Sequence, residues 1–336
     1  MPNHRSMAAP GRRTVLALLP GLGAASSRGA AQAEGASAWP QRRVRVITPA
    51  PPGSSLDLVA RLMAERLGAR WGQPVTVEGR PGADGIPALE AMIAAAPRDA
   101  LFLANHGAIT VTPLLNPRLG FDPMAALSPV LDLSTDLFGV AVPAALPVRD
   151  LAGLVGHARE NPGLLNYTAA PGPPYLAMRA FLRDAGLDMV HVGFRGIGAV
   201  TVAEMLAGRL HVALAPLAPL VGAAREERLR VIAVTGAERA PALPGVPTSA
   251  EQGFPGFRQE GIHGLFGWKD MPDALRERIA GEAAAILADH LLAERLRGVG
   301  LQLRSGGTPA AFAALLAEQR ERWAGLAREF GAASAP

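Results

Sequence analysis

No cysteine occurs anywhere in the 336 residues of this chain. That absence removes a disulfide framework, a thiolate metal site, a cysteine nucleophile and a lipidated N-terminal cysteine. The seven histidines fall in no metal-ligand spacing, so no metal is expected. A nucleophile elbow of the Gly-x-Ser-x-Gly type is missing, and so is a Gly-x-Gly-x-x-Gly loop after the first strand, which argues against a serine hydrolase and a dinucleotide enzyme. Ser54 or Ser55 with His106 or His191 could be imagined as a dyad, but nothing in the spacing requires it. Blocks of lysine and arginine are absent as well. The formal charge of +4 comes from Arg5, Arg12, Arg13 and Arg28, which precede the first acidic residue. Without those four the chain is balanced at 29 basic and 29 acidic residues, and nucleic acid drops out as a partner. Aromatic residues are few, at 5%, but 49% of the chain is apolar, enough to bury a full core.

The N-terminus reads as an export signal. A basic segment ends in Arg12-Arg13-Thr14, an apolar stretch runs from Val15 to about Ala25, and small-residue cleavage sites come after it at Ala31-Gln32-Ala33 and Ala36-Ser37-Ala38. The apolar part is short for a membrane span and contains Pro20, so cleavage near Ala33 or Ala38 is expected, with a periplasmic destination. The paired arginines fit a twin-arginine signal as well as an ordinary secretory one. No later stretch is apolar for the length of a membrane span.

From Trp39 onward the chain alternates between two periodicities. Val44, Val46 and Ile47 read as a strand, and Val59, Leu62, Met63 and Leu67 recur at helical spacing. Between them Pro51 and Pro52 stop the strand, Gly53 permits a turn, Ser55 is placed to cap the helix, and Asp57 sits in its first turn, where negative charge is favoured. Such a loop turns backbone N–H groups at a helix N-terminus toward a crevice, a seat for a carboxylate or phosphate. The plainer reading is that Ser54, Ser55 and Asp57 do no more than cap the helix. Further strands are expected at Val75–Glu78, Leu101–Ala104, Leu165–Thr168, Met189–Val192, Val212–Ala215, Arg230–Val234 and Leu265–Trp268, with two separate apolar runs at Val130–Leu133 and Leu137–Val142. Helices are expected over Ala88–Ala96, Leu151–Arg159, Tyr175–Ala185 and Ala199–Ala207. One more opens at Pro272, and a last helix is capped by Thr308, with Leu315, Leu316, Trp323, Leu326 and Phe330 as its apolar stripe. Strands alternating with helices argue for an α/β fold with a mostly parallel sheet, whose ligands bind beyond the carboxyl ends of the strands.

Several short motifs occur in order along the mature chain: Arg45-Val-Ile-Thr-Pro-Ala-Pro-Pro-Gly53-Ser-Ser-Leu-Asp57, Glu78-Gly-Arg-Pro-Gly-Ala-Asp-Gly85, Asn166-Tyr167, Met189-Val-His-Val-Gly-Phe-Arg-Gly196, Leu229-Arg-Val-Ile-Ala-Val-Thr235 and Arg239-Ala-Pro-Ala-Leu-Pro-Gly-Val-Pro-Thr248. Together they resemble the Bug family, the TctC-like extracytoplasmic solute receptors of tripartite tricarboxylate transporters. The resemblance implies a type II periplasmic-binding-protein-like fold: two lobes with mixed, mostly parallel sheets, joined by crossover strands near Leu137–Val142 and Gln259–Leu265. Lobe one would hold residues 39–138 and 263–336, and lobe two residues 139–262. The partners implied are a small organic acid and the membrane subunits of the transporter, with a monomeric receptor and no cofactor. Presentation of the ligand to a sensor kinase is the alternative role.

By the same resemblance the ligand carboxylate is held by backbone N–H groups and small hydroxyls of Gly53, Ser54 and Ser55, with Asp57, and by a counterpart loop containing Thr168, Ala169, Ala170 and Gly172. Asn105, His106 and Gly107 would contribute, as would Phe194 and Arg195. Arg195 is placed either to pair with the ligand or to serve as a surface or lobe-bridging charge. The chain departs from the family in its second loop, where Pro171, Pro173 and Pro174 each remove an N–H donor. Ala215-Pro216-Leu217-Ala218-Pro219 likewise replaces a stretch that is often acidic or amide-bearing. A less polar second lobe is therefore expected, suited to one carboxylate on an apolar or aromatic body.

Overall fold

Strand β1 (Val44–Thr48) buries Val44, Val46 and Ile47, the β-branched run that favours an extended backbone. The structure is a computed structural model, described for residues 39–116, 119–193 and 198–330. The expected export signal lies outside the described residues, as do Phe194 and Arg195. After β1 comes α1 (Ser55–Trp71), whose buried Val59, Met63 and Leu67 keep one face on the sheet. Gly72 ends it in the left-handed conformation, φ 63°. Next along the chain are β2 (Val75–Gly79), α2 (Ile86–Ala94), β3 (Ala100–Asn105) and three short helices, α3 (His106–Thr110), α4 (Thr112–Leu115) and α5 (Pro123–Ala126).

The two apolar runs expected at Val130–Leu133 and Leu137–Val142 are one strand, β4 (Leu127–Pro143), 17 residues long. Ser134, Thr135 and Asp136 interrupt the hydrophobic pattern without interrupting the strand; all three are buried. The middle of the chain then supplies α6 (Leu151–Glu160), β5 (Asn166–Ala169), α7 (Pro173–Ala185), β6 (Val190–His191), α8 (Ala199–Leu206), β7 (Val212–Pro216), α9 (Ala218–Arg225) and β8 (Leu229–Val234). The last part is β9 (Glu260–Trp268), α10 (Asp273–Leu287), α11 (His290–Arg297), β10 (Leu301–Leu303) and α12 (Pro309–Phe330).

The strands are ordered β2-β1-β3-β9-β4-β7-β5-β6, with β8 and β10 also on β4. Pairings within β1–β3 and within β5–β7 are parallel, whereas every pairing made by β4 or β9 is antiparallel. The result is a two-lobed mixed α/β fold with a parallel wing at each end and an antiparallel centre. β4 runs through both wings: it pairs with β9 as far as Leu137, and with β7 from Phe138 and β8 from Gly139. The other crossing lies beside that switch, where Thr235 N–H donates to Phe138 O at 3.0 Å and Gln259 N–H donates to Thr235 O at 2.9 Å.

The second wing has its own core, containing Tyr167, Leu176, Phe181 and Phe257 together with Trp323, Ala327 and Phe330 of α12. Thr308 caps that helix through Ala311 N–H at 3.1 Å. Earlier in α12, Phe312 packs against Phe266 of β9 with its ring tilted, the centroids 5.2 Å apart. The C-terminal helix therefore packs along both wings, and each of its buried aromatics contributes on the order of 2–3 kcal/mol.

Candidate ligand-binding site

The first wall of the site is the start of α1. Gly53 turns the chain at φ 79°, and the helix begins one residue earlier than the sequence reading expects. Ser54, rather than Ser55, is the cap: its Oγ accepts Asp57 N–H at 3.2 Å. In return Asp57 Oδ2 accepts Gly53 N–H at 2.9 Å and pairs with Arg61 at 3.0 Å, the reciprocal logic of a capping box. Burial alone would raise the Asp57 pKa, but the hydrogen bonds from Arg61 and Gly53 outweigh it and hold the carboxyl below its usual value. Asp57 is thus engaged in building the cap. Ser54 N–H donates to Pro51 O at 3.2 Å and Leu58 N–H to Ser54 O at 2.9 Å. Among the described residues, Ser55 and Leu56 N–H have no acceptor. These are the two donors that a helix start offers to an anion.

The second wall is the start of α7, and it offers far less. Pro173 and Pro174 fill its first two helical positions and carry no N–H. Tyr175 and Leu176 N–H are already bound, to Ala170 O at 3.0 Å and Gly172 O at 3.1 Å. No donor remains free in the first turn of α7. This wall presents pyrrolidine rings instead, from Pro171, Pro173, Pro174 and Pro216.

Between the walls lies a cavity of about 870 Å³. Ser54, Ser55, Asn105, His106, Gly107, Ala170 and Gly172 of the expected residues line it. Gly53 and Asp57 stand behind the wall in the cap, and Thr168 and Ala169 are buried in β5. The floor holds Asp136 and Phe138 from β4 and Gln259, Gly261 and His263 from the second crossing. The sequence reading missed Asp136, Gln259 and His263. The polar triplet Ser134-Thr135-Asp136 inside an otherwise apolar run was a signal for Asp136, and no comparable pattern marks Gln259 or His263.

The floor is polar, and burial works against charge on each of its titratable groups. Ser55 Oγ–H donates to Asp136 Oδ2 at 2.5 Å, joining the first wall to β4. Burial pushes the Asp136 carboxyl up to about 7, against the lowering effect of that hydrogen bond. Burial also lowers His106 to about 4 and His263 to about 3, so both imidazoles are neutral near pH 7. Ile262 N–H donates to His106 Nδ1 at 3.2 Å, which leaves the ring proton on Nε2. His263 Nδ1 lies 3.0 Å from Ser134 Oγ, and its Nε2 is 3.9 Å from Asp136 Oδ2. Three buried atoms of this floor have no partner within the described residues: His106 Nε2, Asp136 Oδ1 and Gln259 Oε1.

No cluster of three or more metal-ligating side chains occurs among the described residues. A second hollow of about 690 Å³ lies beside α12, but its Asp132 is already paired with Arg304 at 2.5 Å. The hydroxyl of Ser55 is committed to Asp136, and His106 Nδ1 to a backbone N–H. This arrangement suits holding an anion by backbone donors inside a largely apolar cleft.

The fold, with a cavity between its two wings, is that of a two-lobed solute-binding protein. A family model confirms the class: residues 59–331 match TctC, the tripartite tricarboxylate transporter family receptor. The chain belongs to this family. It is 32% identical over 324 residues to the UPF0065 protein in the tcbD-tcbE intergenic region of a Pseudomonas species, covering 95% of each chain. Among solved structures it is similar to MatC from Rhodopseudomonas palustris with bound malate, at 26% identity and TM-score 0.77, covering 86% of this chain and 100% of that one. It is also similar to an R. palustris protein solved with adipate, at 26% identity and TM-score 0.79, covering 86% and 97%.

Proposed function

We propose that this protein is a periplasmic receptor that captures a small organic carboxylate and delivers it to the membrane subunits of a tripartite tricarboxylate-type transporter. The observation that carries the reading is the pair of free N–H groups of Ser55 and Leu56, at the positive end of a 17-residue helix whose first residues line an 870 Å³ cavity. Similarity to proteins solved with malate and adipate supports a carboxylate as the ligand class. The second wall narrows that class. With no free donor in the first turn of α7 and four prolines against the cavity, it favours one carboxylate on an apolar or aromatic body over a tricarboxylate. We place lobe one at residues 39–138 and 263–336 and lobe two at 139–262, with residues 1–38 removed on export and the mature receptor acting as a monomer.

A thermal-shift screen of carboxylic and aromatic acids on the mature protein tests this. A true ligand at about 100 times its Kd stabilises the fold by roughly 2.7 kcal/mol. The screen should find monocarboxylates that raise the melting temperature without being turned over. Binding of citrate in the absence of any monocarboxylate would refute the one-carboxylate reading, and silence from every acid would refute the receptor reading.

A further inference from the structure

Proline crowds around the cavity far more than elsewhere in the chain: seven of the 26 lining residues are prolines, against 30 among 336 overall. Four of the seven belong to the second wall. The other three come from the first wing, Pro49 and Pro51 from the loop after β1 and Pro81 from the turn after β2. Pro51, Pro81 and Pro171 are exposed, and Pro49 and Pro216 are half-buried, so these five keep accessible surface where they line the cavity. A proline has no N–H and no polar side-chain atom, and most of what it exposes is ring C–H. Both wings therefore line the cavity with the same rigid apolar ring.

What such walls hold best follows from charge, rigidity and polarisation. Among the described residues lining the cavity there is no lysine or arginine, so a ligand group beyond the first carboxylate meets no countercharge there and an uncharged body is favoured. Proline rings lose no rotamer freedom when a ligand packs on them, and neither do the five glycines that also line the cavity. Walls of this kind do not reset themselves around a flexible or puckered body. They suit a rigid one. The ring C–H groups beside an amide nitrogen carry partial positive charge, whereas the face of an aromatic ring is negative. An aromatic face laid on a pyrrolidine ring thus gains an attraction that a saturated ring, with C–H groups on both faces, does not.

We infer that the cavity selects carboxylic acids whose body is an aromatic ring over saturated acids of the same carbon skeleton, and that proline rings of both wings, Pro51 and Pro81 on one side and Pro171 and Pro216 on the other, make the selection. The inference rests on the carboxylate-receptor reading and names the ligand subclass. It runs against simple burial. A cyclohexyl group presents more apolar area than a phenyl group, so a cavity that acted only by removing apolar surface from water would hold the saturated acid more tightly. A preference for the aromatic acid is therefore a signature of the ring face and not of hydrophobicity.

The test is calorimetric titration of the mature protein with two matched pairs, benzoate against cyclohexanecarboxylate and phenylacetate against cyclohexylacetate. The expected result is a preference of about threefold or more for the aromatic member of at least one pair. In the double variant Pro51→Ala/Pro171→Ala, which removes one ring from each wing, that preference should fall to about one or below. Alanine restores an N–H at each position, but an added donor acts on the carboxylate that both acids share, so the ratio isolates the body. If the double variant does not fold, Pro81→Ala and Pro216→Ala take its place singly, each with a partial loss of preference. A second readout leaves the sequence intact: in protein labelled at proline, ring protons should move upfield with the preferred aromatic acid and not with its saturated partner, because only the aromatic face carries a ring current. Equal or tighter binding of both saturated acids would overturn the inference and leave the receptor reading standing. A preference unchanged in the proline variants, or the absence of upfield shifts, would overturn the role of the prolines. Silence from all four acids, with a response to other carboxylates in the thermal screen, would overturn the inference alone; silence from every carboxylate would overturn both.

Discussion

Ser55 performs two tasks that a single substitution can separate. Its N–H is the free donor at the start of α1, and its hydroxyl holds Asp136. Ser55→Ala removes only the hydroxyl. Ser55→Pro removes the hydroxyl and the N–H, yet it stands at the first helical position, where proline is favoured, and Ser54 before it is already extended at φ −74°, ψ 163°. We expect the two variants to melt within a few degrees of each other, while the proline variant binds carboxylate about tenfold or more weakly than the alanine variant. Equal affinities would mean that the backbone donor is not the anion site. Asp136 itself makes a pH prediction. Its carboxyl ionises near 3.8 when unfolded and at about 7 in the fold, so its stabilising contribution is complete below pH 3.8 and is lost as the pH climbs to 7. His106 and His263 run the opposite way: their contribution is complete above pH 6.5 and lost as the pH falls toward 4 and 3. The difference between wild type and Asp136→Asn isolates the carboxyl from the histidines. The wild type should lose stability relative to the variant from pH 4 to pH 7, by an amount on the order of a few kcal/mol. Melting curves at intervals across that range check it; a flat difference would show that Asp136 is not held protonated.

At the scale of elements, β9 must pass close beneath the C-terminal helix. Gly264 leaves room for it: a Cβ there would stand 2.8 Å from Phe312 Cε1 and 3.1 Å from Phe266 Cε2, with Phe312 Cζ nearer still. Gly264→Ala should therefore destabilise the fold by about 1–3 kcal/mol through overpacking, even though alanine is the better strand former. Phe312→Leu should relieve part of that penalty, so a double-mutant cycle in denaturant gives a coupling well beyond about 0.5 kcal/mol. Additive effects would mean that the ring moves aside freely. The same contrast between local and tertiary causes explains what the sequence could reveal. β1, its proline-glycine loop and α1 are written in local terms, by β-branched residues, turn formers and a helical stripe, and the chain folds accordingly. β4 reads as two runs because Ser134, Thr135 and Asp136 break its apolar pattern. Their polarity is satisfied or exploited by residues far along the chain, His263 for Ser134 and Ser55 for Asp136, which no local pattern reports. The cavity wall was legible for that reason, and the floor was not.

For the molecule as a whole, what matters is how nearly the two walls meet. β4 carries the backbone from one wing to the other, Thr235 bridges both crossings by donating its hydroxyl to Gln259 O at 2.7 Å, and α12 is packed into both cores. A receptor of this build closes by bending at the crossings while the wings stay rigid. The first wing comes closest to the second wall where Gly107 of α3 meets Pro173 of α7: a Cβ on Gly107 would stand 2.7 Å from Pro173 Cδ and 3.1 Å from Asn105 Oδ1. Gly107 sits in a helix, so Gly107→Ala carries no backbone penalty of its own and, if anything, favours α3. Its only serious cost arises at the wall contact, and the added methyl must hold the wings apart. We expect Gly107→Ala to melt like the wild type without ligand, to bind the responding carboxylate about tenfold or more weakly, and to show less contraction on binding in X-ray scattering. Pro173→Ala deletes the opposing Cδ, and combining it with Gly107→Ala should bring back most of the lost affinity and contraction. Wild-type affinity in the single variant would mean that these walls do not need to touch for the ligand to be held, and that closure takes place elsewhere along the cleft.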